Sequence, residues 1–441
     1  MRCARLICLT AVCLGLHLAP ECEAQKLPRG PVFRFVNGYW FNGVRFVKTQ
    51  FFSEDGLLTQ HPRELVRYEL VNLHGGYVVP PYGDAYEYNF DSLERTPAVT
   101  AQYLRDGIFY AQGMTDSVLG ARAVVAAGMV DTPSTVDVTY AHGSLTAPQG
   151  HPKEVYESMA QGFYYTATPE QRALVMSQNT REGEAYWQID SPAELDAKWS
   201  QILATKPDLI KINLSDSEHF TAESHVHPAL GQGMDPSLVP LITAKAHEAG
   251  LRVAAHVDTA ADVHFALAGG VDELGHLPGY GLTAKDDPAT VRISDEDIKL
   301  MVKHRVIVQA TAGVYVDEHT SSADLKARQS AQRDNLRRMK AAHLFVVVGS
   351  DRYGQDSLHE ADYLQSLGLW SNLEMLRMWS VVTPKDIFPN RKVGELQEGY
   401  VASFLVLKAN PLKDWSAVHQ IADRWKDGEH LMLNAKRERT P

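Results

Sequence analysis

Short apolar, strand-forming runs alternate along the middle of the chain with segments whose apolar residues recur at helical spacing. The runs fall at 77–81, 108–112, 135–140, 208–214, 252–257, 271–275, 306–310 and 345–350. Stretches of helical period lie between many of them, at 191–204, 236–249, 260–268 and 294–304. Strand followed by helix, repeated in this way, predicts an α/β chain with a parallel sheet. Eight candidate strands favour the closed form, a (β/α)8 TIM-like barrel, over an open doubly wound sheet. No glycine-rich phosphate loop follows the first run, which weakens a nucleotide-binding reading.

The pattern changes toward both ends. From 30 to about 79 aromatic and polar residues alternate, as in Phe33-Arg34-Phe35 and Tyr39-Trp40-Phe41. That period predicts several short antiparallel strands. A similar stretch returns at 394–407, where Gly399 precedes the apolar run 401–407. The two ends are expected to form one small β-sandwich domain around a central insertion. The expected organisation is a signal peptide at 1–24, the first part of the small domain at 25–79, the barrel at 80–390 and the second part of the small domain at 391–441.

Composition narrows the function classes. The chain has 441 residues and a formal net charge of -11, with no basic run of the kind that nucleic acid or an anionic membrane would call for. Arg2 and Arg5 precede the apolar run 6–19, and Cys22-Glu23-Ala24 offers a small residue before Gln25. This is the order of a cleaved secretory signal, and the run falls short of the roughly 20 residues that spanning needs. A periplasmic or secreted protein is expected. All four cysteines, Cys3, Cys8, Cys13 and Cys22, lie inside that segment. The mature chain would have none, which excludes structural disulfides, thiolate metal sites and cysteine nucleophiles. Any metal must be held by nitrogen and oxygen. The partner expected is a small-molecule substrate, with no nucleic acid and no membrane span; the oligomeric state is not legible.

In a parallel barrel the C-terminal strand ends converge on one face, where active sites are built. Lys211 lies inside the fourth predicted strand, His256 ends the fifth, His276 ends the sixth and Asp351 ends the eighth. The 20-residue step from His256 to His276 is one helix plus one strand, so neighbouring strands present the two imidazoles side by side. Each residue alone has a bland reading: a strand lysine snorkels, a strand-end histidine caps backbone, and Ser-Asp opens a loop. Four of them in this order are hard to obtain by chance.

The stretches Ile210-Lys211-Ile212, Val253-Ala254-Ala255-His256, Asp272-Glu273-Leu274-Gly275-His276 and Gly349-Ser350-Asp351 carry a resemblance. Together with the closing run from Val393 to Ala402, they resemble the amidohydrolase superfamily, in its imidazolonepropionase-like and prolidase-like exported branch. The resemblance covers nearly the whole mature chain. It implies a centre of one or two metal ions, iron, manganese or zinc. Lys211 would be a carbamylated bridging ligand, His256 and His276 would bind the second metal, and Asp351 would bind the first and move protons. A buried lysine has a lowered pKa, and only the neutral amine takes up carbon dioxide.

One departure stands out. Where the family's first strand ends in His-x-His, this chain has Tyr86-Glu87-Tyr88. Both tyrosines should face the site and Glu87 the other way. Two phenolates and a carboxylate would make an oxygen-rich site suited to iron or manganese. Three readings stay open: a hydrolase of an amide or cyclic C–N bond with an altered first metal site; an iron-dependent oxidase or oxygenase with Tyr86 and Tyr88 as phenolate ligands; and a non-catalytic binding protein. His142 after the third strand, Arg352 and Tyr353 after Asp351, and His219 in the loop with His225 and His227 are candidate substrate contacts.

Overall fold

The computed structural model describes residues 30–163, 168–226 and 231–432. The expected signal peptide, with all four cysteines, and His227 lie outside the described residues. Among those described, no helix is long and apolar enough to cross a membrane.

The central strands are parallel and form two sheets. The larger has seven strands in the order Tyr186–Gln188, Ser144–Thr146, Leu209–Asn213, Arg252–His256, Glu273–Gly275, Ile307–Ala310 and Val346–Val348. The smaller pairs Tyr82–Glu87, Ile108–Gly113 and Asp137–Tyr140. Leu209–Asn213, Glu273–Gly275 and Val346–Val348 are buried at every position, as befits strands covered on both faces. Helices Pro192–Ala204, Val239–Glu248, Ala260–Ala268 and Asp295–His304 fall close to the predicted helical stretches. The 236–249 stretch begins with a 3-10 turn, Pro236–Leu238, before its α-helix. Hydroxyl caps start three of the four: Ser191 accepts from the Glu194 N–H, Thr259 from Asp262 and Ser294 from Asp297.

The first predicted strand is displaced. Tyr77–Val79 belongs to a different sheet, and the strand that leads to the tyrosines is Tyr82–Glu87. Pro80-Pro81 separates the two, because neither proline can donate a ladder hydrogen bond. Tyr77–Val79 instead pairs with Phe33–Phe41 and Phe404–Leu407 in an eight-stranded sheet drawn from both ends of the chain. Phe35, Trp40, Phe51, Phe404 and Trp425 fill its own apolar core.

Backbone bonds link the edges of the parallel sheets at two junctions. The Asp208 N–H donates to the Tyr140 carbonyl at 2.8 Å, and the Asp351 N–H donates to the Tyr86 carbonyl at 2.8 Å. The second junction is stapled by Asp84, which is fully buried. Its Oδ1 accepts from the Ser350 N–H at 2.8 Å and the Tyr86 N–H at 3.3 Å, and its Oδ2 accepts from the Tyr103 hydroxyl at 2.9 Å. Gly349 is glycine for a steric reason: a Cβ there would stand 2.6 Å from the Tyr86 Cβ.

Removing the Asp84 carboxylate leaves two backbone donors without their acceptor, and the buried Tyr103 phenol with only the Gln355 carbonyl at 3.2 Å. Asp84→Ala is therefore expected to cost about 3 kcal/mol in chemical denaturation, and Asp84→Asn, which keeps an oxygen at Oδ1, about 1 kcal/mol. Equal losses in the two variants would show that the acceptor is not what holds this junction.

Candidate active site

The strand ends that follow this junction open onto a cavity of about 480 Å³. Tyr86, Tyr88, His256, His276, Asp351, Arg352 and Tyr353 all line it. Lys211 is fully buried beneath the wall, and its Nζ donates to the Tyr86 phenolic oxygen at 3.1 Å. Gly275 makes the space for that contact. A Cβ there would come within 3.0 Å of the Lys211 Nζ and 2.9 Å of the Tyr86 ring.

The two imidazoles are neighbours, with ring centroids 4.4 Å apart. Each is anchored through one nitrogen. His256 Nε2 lies 3.2 Å from Asp258 Oδ1, and His276 Nδ1 lies 2.6 Å from Thr311 Oγ1. A carboxylate only accepts, so His256 carries its proton on Nε2 and its Nδ1 keeps a lone pair. His256 Nδ1 and His276 Nε2 have no hydrogen-bond partner among the described residues. Burial lowers the His256 imidazole below its usual range against the pull of Asp258. Burial, with the charges of His256 and Lys211, holds His276 well below 6.5. Both rings are thus kept neutral. His276 has φ 110° and Asp351 φ 47°, so two site residues sit in the left-handed half of backbone space, which an L-histidine adopts at a cost of order 1–3 kcal/mol.

Burial lowers the Lys211 amine to about 7, against the pull of Asp351 and Glu273. Burial likewise raises the Asp351 carboxyl to about 7, against Lys211 and His151. Its Oδ2 stands 3.6 Å from His276 Nδ1. The two tyrosines engage different partners. Tyr86 is packed on His276 with centroids 4.7 Å apart, and burial holds its phenol well above 10. The Tyr88 hydroxyl donates to the Asp351 carbonyl at 2.9 Å, and its ring stacks on Tyr353 at 6.0 Å. Glu87 is buried and off the cavity wall.

His142 and His219 do not line the cavity. His142, at φ 58°, is buried and stacked on Tyr140 at 5.4 Å. His219 is exposed and paired with Asp216 at 2.5 Å. Asp216, Glu218 and His219 are the one group of three histidine, aspartate or glutamate ligand atoms drawn within 4.8 Å of one another among the described residues, and all three are exposed. The cavity's own histidines and aspartate are not gathered that tightly, so a cation held by them needs Lys211 or water to complete its shell.

Sequence reasoning missed Asp258. Two residues beyond His256, it accepts from the Ser215 hydroxyl at 2.5 Å and from the Tyr280 hydroxyl, besides holding His256. His256, Ser215 and Tyr280 keep its carboxyl well below the usual range, outweighing burial, so it is ionised. The only signal was a second acid after a strand-end histidine, which is too common to single out. His151, its Nδ1 2.9 Å from Glu154 Oε1 and its ring 5.1 Å from that of His256, was also missed, because it comes from the long segment after the third strand.

The amidohydrolase family model matches residues 92–431. No curated protein sequence matches the chain. Among solved structures, an amidohydrolase aligns with TM-score 0.68 at 18% identity, over 92% of this chain and 100% of its own. Ochratoxinase of A. niger aligns with TM-score 0.68 at 16% identity, over 91% and 95%. A prolidase complexed with N-methylphosphonate-L-proline aligns with TM-score 0.67 at 16% identity, over 91% and 99%. At these identities the structures establish a shared fold.

Because Gly275 faces both Lys211 and Tyr86, Gly275→Ala is expected to break the Lys211–Tyr86 contact and cost about 1–3 kcal/mol in stability. A denaturation midpoint equal to that of the parent protein would show that the space is slack and not needed.

Proposed function

The chain belongs to the amidohydrolase family, and from that premise we propose that it hydrolyses an amide or cyclic C–N bond at a centre that holds one divalent metal ion on His256, His276 and Lys211. Members of this family generally use one or two divalent metals. We read the two parallel sheets as one closed (β/α)8 barrel, and the mixed sheet with its own core as the appended β-sandwich. The observation that carries the functional reading is the His256–His276 pair: adjacent, neutral, each anchored on one nitrogen and presenting the other. Nearby stands a lysine whose amine is close to half-neutral at pH 7. That donor set fits a divalent cation. When bound, the ion would acidify a water and so supply a nucleophile at neutral pH.

The chain's own groups do the rest. Neutral Lys211 can add carbon dioxide, forming an N–C bond and releasing a proton, to give an anionic carbamate. The missing side chain at Gly275 leaves its nitrogen unobstructed on that side. Asp351, with a carboxyl near neutrality, can take a proton from the attacking water and return it to the leaving nitrogen. Asp258 fixes the His256 tautomer and orientation, acting through the imidazole and not on substrate. Tyr88 orients the backbone of Asp351 through its hydroxyl.

The iron-dependent oxidase or oxygenase gains less from this geometry. It needs phenolates, whereas the Tyr88 hydroxyl is spent as a donor to a carbonyl and burial opposes ionisation of Tyr86.

Metal analysis and a visible spectrum of the purified protein separate the readings. A colourless protein with about one divalent ion per chain is expected. His256→Ala should lose that ion and at least about 100-fold in hydrolysis of N-acyl amides, while Tyr88→Phe stays within about tenfold of the parent. A tyrosinate absorption band, lost in Tyr86→Phe or Tyr88→Phe, would replace the hydrolase with the redox reading. The role given to Asp258 predicts that Asp258→Ala weakens metal binding about 10–100-fold in chelator competition, with Asp258→Asn in between. Unaltered affinity in both would leave Asp258 a structural acid only.

A further inference from the structure

On the face of the smaller parallel sheet turned away from the cavity, the strand register brings two acids together. Glu87 pairs with Gly113, and Gly113 pairs in turn with Tyr140. Register partners in a parallel sheet present their side chains to the same face, so Glu87, the bare position at Gly113 and Tyr140 form one row. Asp116 fills the bare position. A Cβ at Gly113 would stand 2.1 Å from Asp116 Oδ2 and 2.9 Å from its Oδ1. The Asp116 carboxylate therefore lies over the middle strand, beside the Glu87 side chain of its neighbour. The Tyr140 phenol feels both: after burial, Asp116 and Glu87 are the next influences that raise it.

Both acids are 0% exposed, and neither is satisfied. Asp116 Oδ1, Asp116 Oδ2 and Glu87 Oε1 have no hydrogen-bond partner among the described residues. The other Glu87 oxygen accepts from the Asn89 N–H. Arg95, whose charge reaches both acids, is committed elsewhere: it holds Asp91 at 2.5 Å and covers the ring of Tyr353 at 4.4 Å. Two enclosed carboxylates without donors or a counter-charge are costly, and a positive charge between them removes that cost. Three unspent carboxylate oxygens, with no nitrogen or sulfur among them, are the donor set of a hard cation, and two negative charges match one divalent ion.

We propose that Glu87 and Asp116 hold a calcium ion on the side of the sheet opposite the active site, with main-chain carbonyls or water completing its shell. Calcium accepts irregular sets of about 6–8 oxygens, whereas magnesium keeps several waters in an octahedron, which a position closed to solvent does not supply. Glu87 stands between Tyr86 and Tyr88, so the ion braces the strand end that carries both tyrosines. This site shares no residue with the His256, His276 and Lys211 centre and does not depend on the hydrolase reading. A proton shared by the two acids is the competing occupant.

Thermal unfolding of the purified full-length protein, stripped with a chelator and then supplied with about 1 mM calcium, tests this. Calcium should raise the midpoint by about 3 °C or more. The rise should persist in His256→Ala, which removes a ligand of the proposed active-site ion, and in Asp216→Ala, which breaks the exposed Asp216, Glu218 and His219 group. Asp116→Asn and Glu87→Gln should each abolish the rise and weaken calcium at least about tenfold in chelator competition. Each neutral variant should also unfold in chelator within a few degrees of the stripped parent, since it removes a charge that has no partner there. A stripped parent protein whose midpoint calcium does not move overturns the inference and leaves the shared proton. A rise that survives both Asp116→Asn and Glu87→Gln, or one that is lost in Asp216→Ala, overturns it as well.

Discussion

The junction between Tyr82–Glu87 and the end of Val346–Val348 is the constraint on which the candidate site depends. These segments are more than 250 residues apart in sequence, yet the Asp351 N–H donates to the Tyr86 carbonyl and Asp84 takes N–H groups from both sides. Without that register Asp351 would not stand beside His276, nor would Tyr86 cover Lys211. The junction is closed to solvent: Asp84, Tyr103 and Ser350 are all buried, and burial raises the Asp84 carboxyl to about 6 even with three donors aimed at it. A buried acceptor that satisfies three donors at once is costly to replace, because each donor left alone pays its own desolvation. Gly349 completes the arrangement by letting the backbone come closer than any side chain would permit.

Burial sets the chemistry as well. Burial is the largest influence on Lys211, His256, His276 and Asp351, and in each it favours the neutral form. Neutral imidazoles and a neutral amine are what a cation requires of its ligands, and a carboxyl near neutrality is what a proton carrier requires. One physical cause therefore prepares both halves of the proposed reaction. Asp258 is the counterexample that proves useful: three donors hold it ionised in the same surroundings, and as an anion it can fix the proton on His256 Nε2.

What could be read from the sequence follows from what sequence periodicity encodes. Lys211, His256, His276 and Asp351 were legible because position within a strand-and-helix repeat determines which end of the sheet a residue reaches. The alternation that put Tyr86 and Tyr88 on one side and Glu87 on the other was legible for the same reason. The first strand was misplaced because 77–81 is as apolar as its neighbours, and only tertiary pairing assigns Tyr77–Val79 to the mixed sheet. His142 and His219 were candidates by proximity to strand ends. Their side chains were decided instead by a positive φ and a stack on Tyr140, and by an ion pair at the surface. Asp84 and Asp258 were illegible because their importance lies in partners from distant segments.

The pairing of charges also bears on how many cations the cavity can take. Asp91 is committed to Arg95, Glu154 to His151, and Asp258 to His256, Ser215 and Tyr280. Asp351 is the wall's remaining carboxylate, and Lys211 the remaining group able to become an anion. One divalent ion is balanced by those two if Lys211 is carbamylated. A second would need two further negative charges, and the groups at hand are Tyr86, whose ionisation burial opposes, and Tyr88, whose hydroxyl is spent on the Asp351 carbonyl. Tyr86 and Tyr88 thus offer a second ion neither a nitrogen donor nor a ready negative charge. On the proposed reading, one metal ion beside Asp351 and a carbamylated Lys211 is therefore the centre that this cavity's own charges would balance.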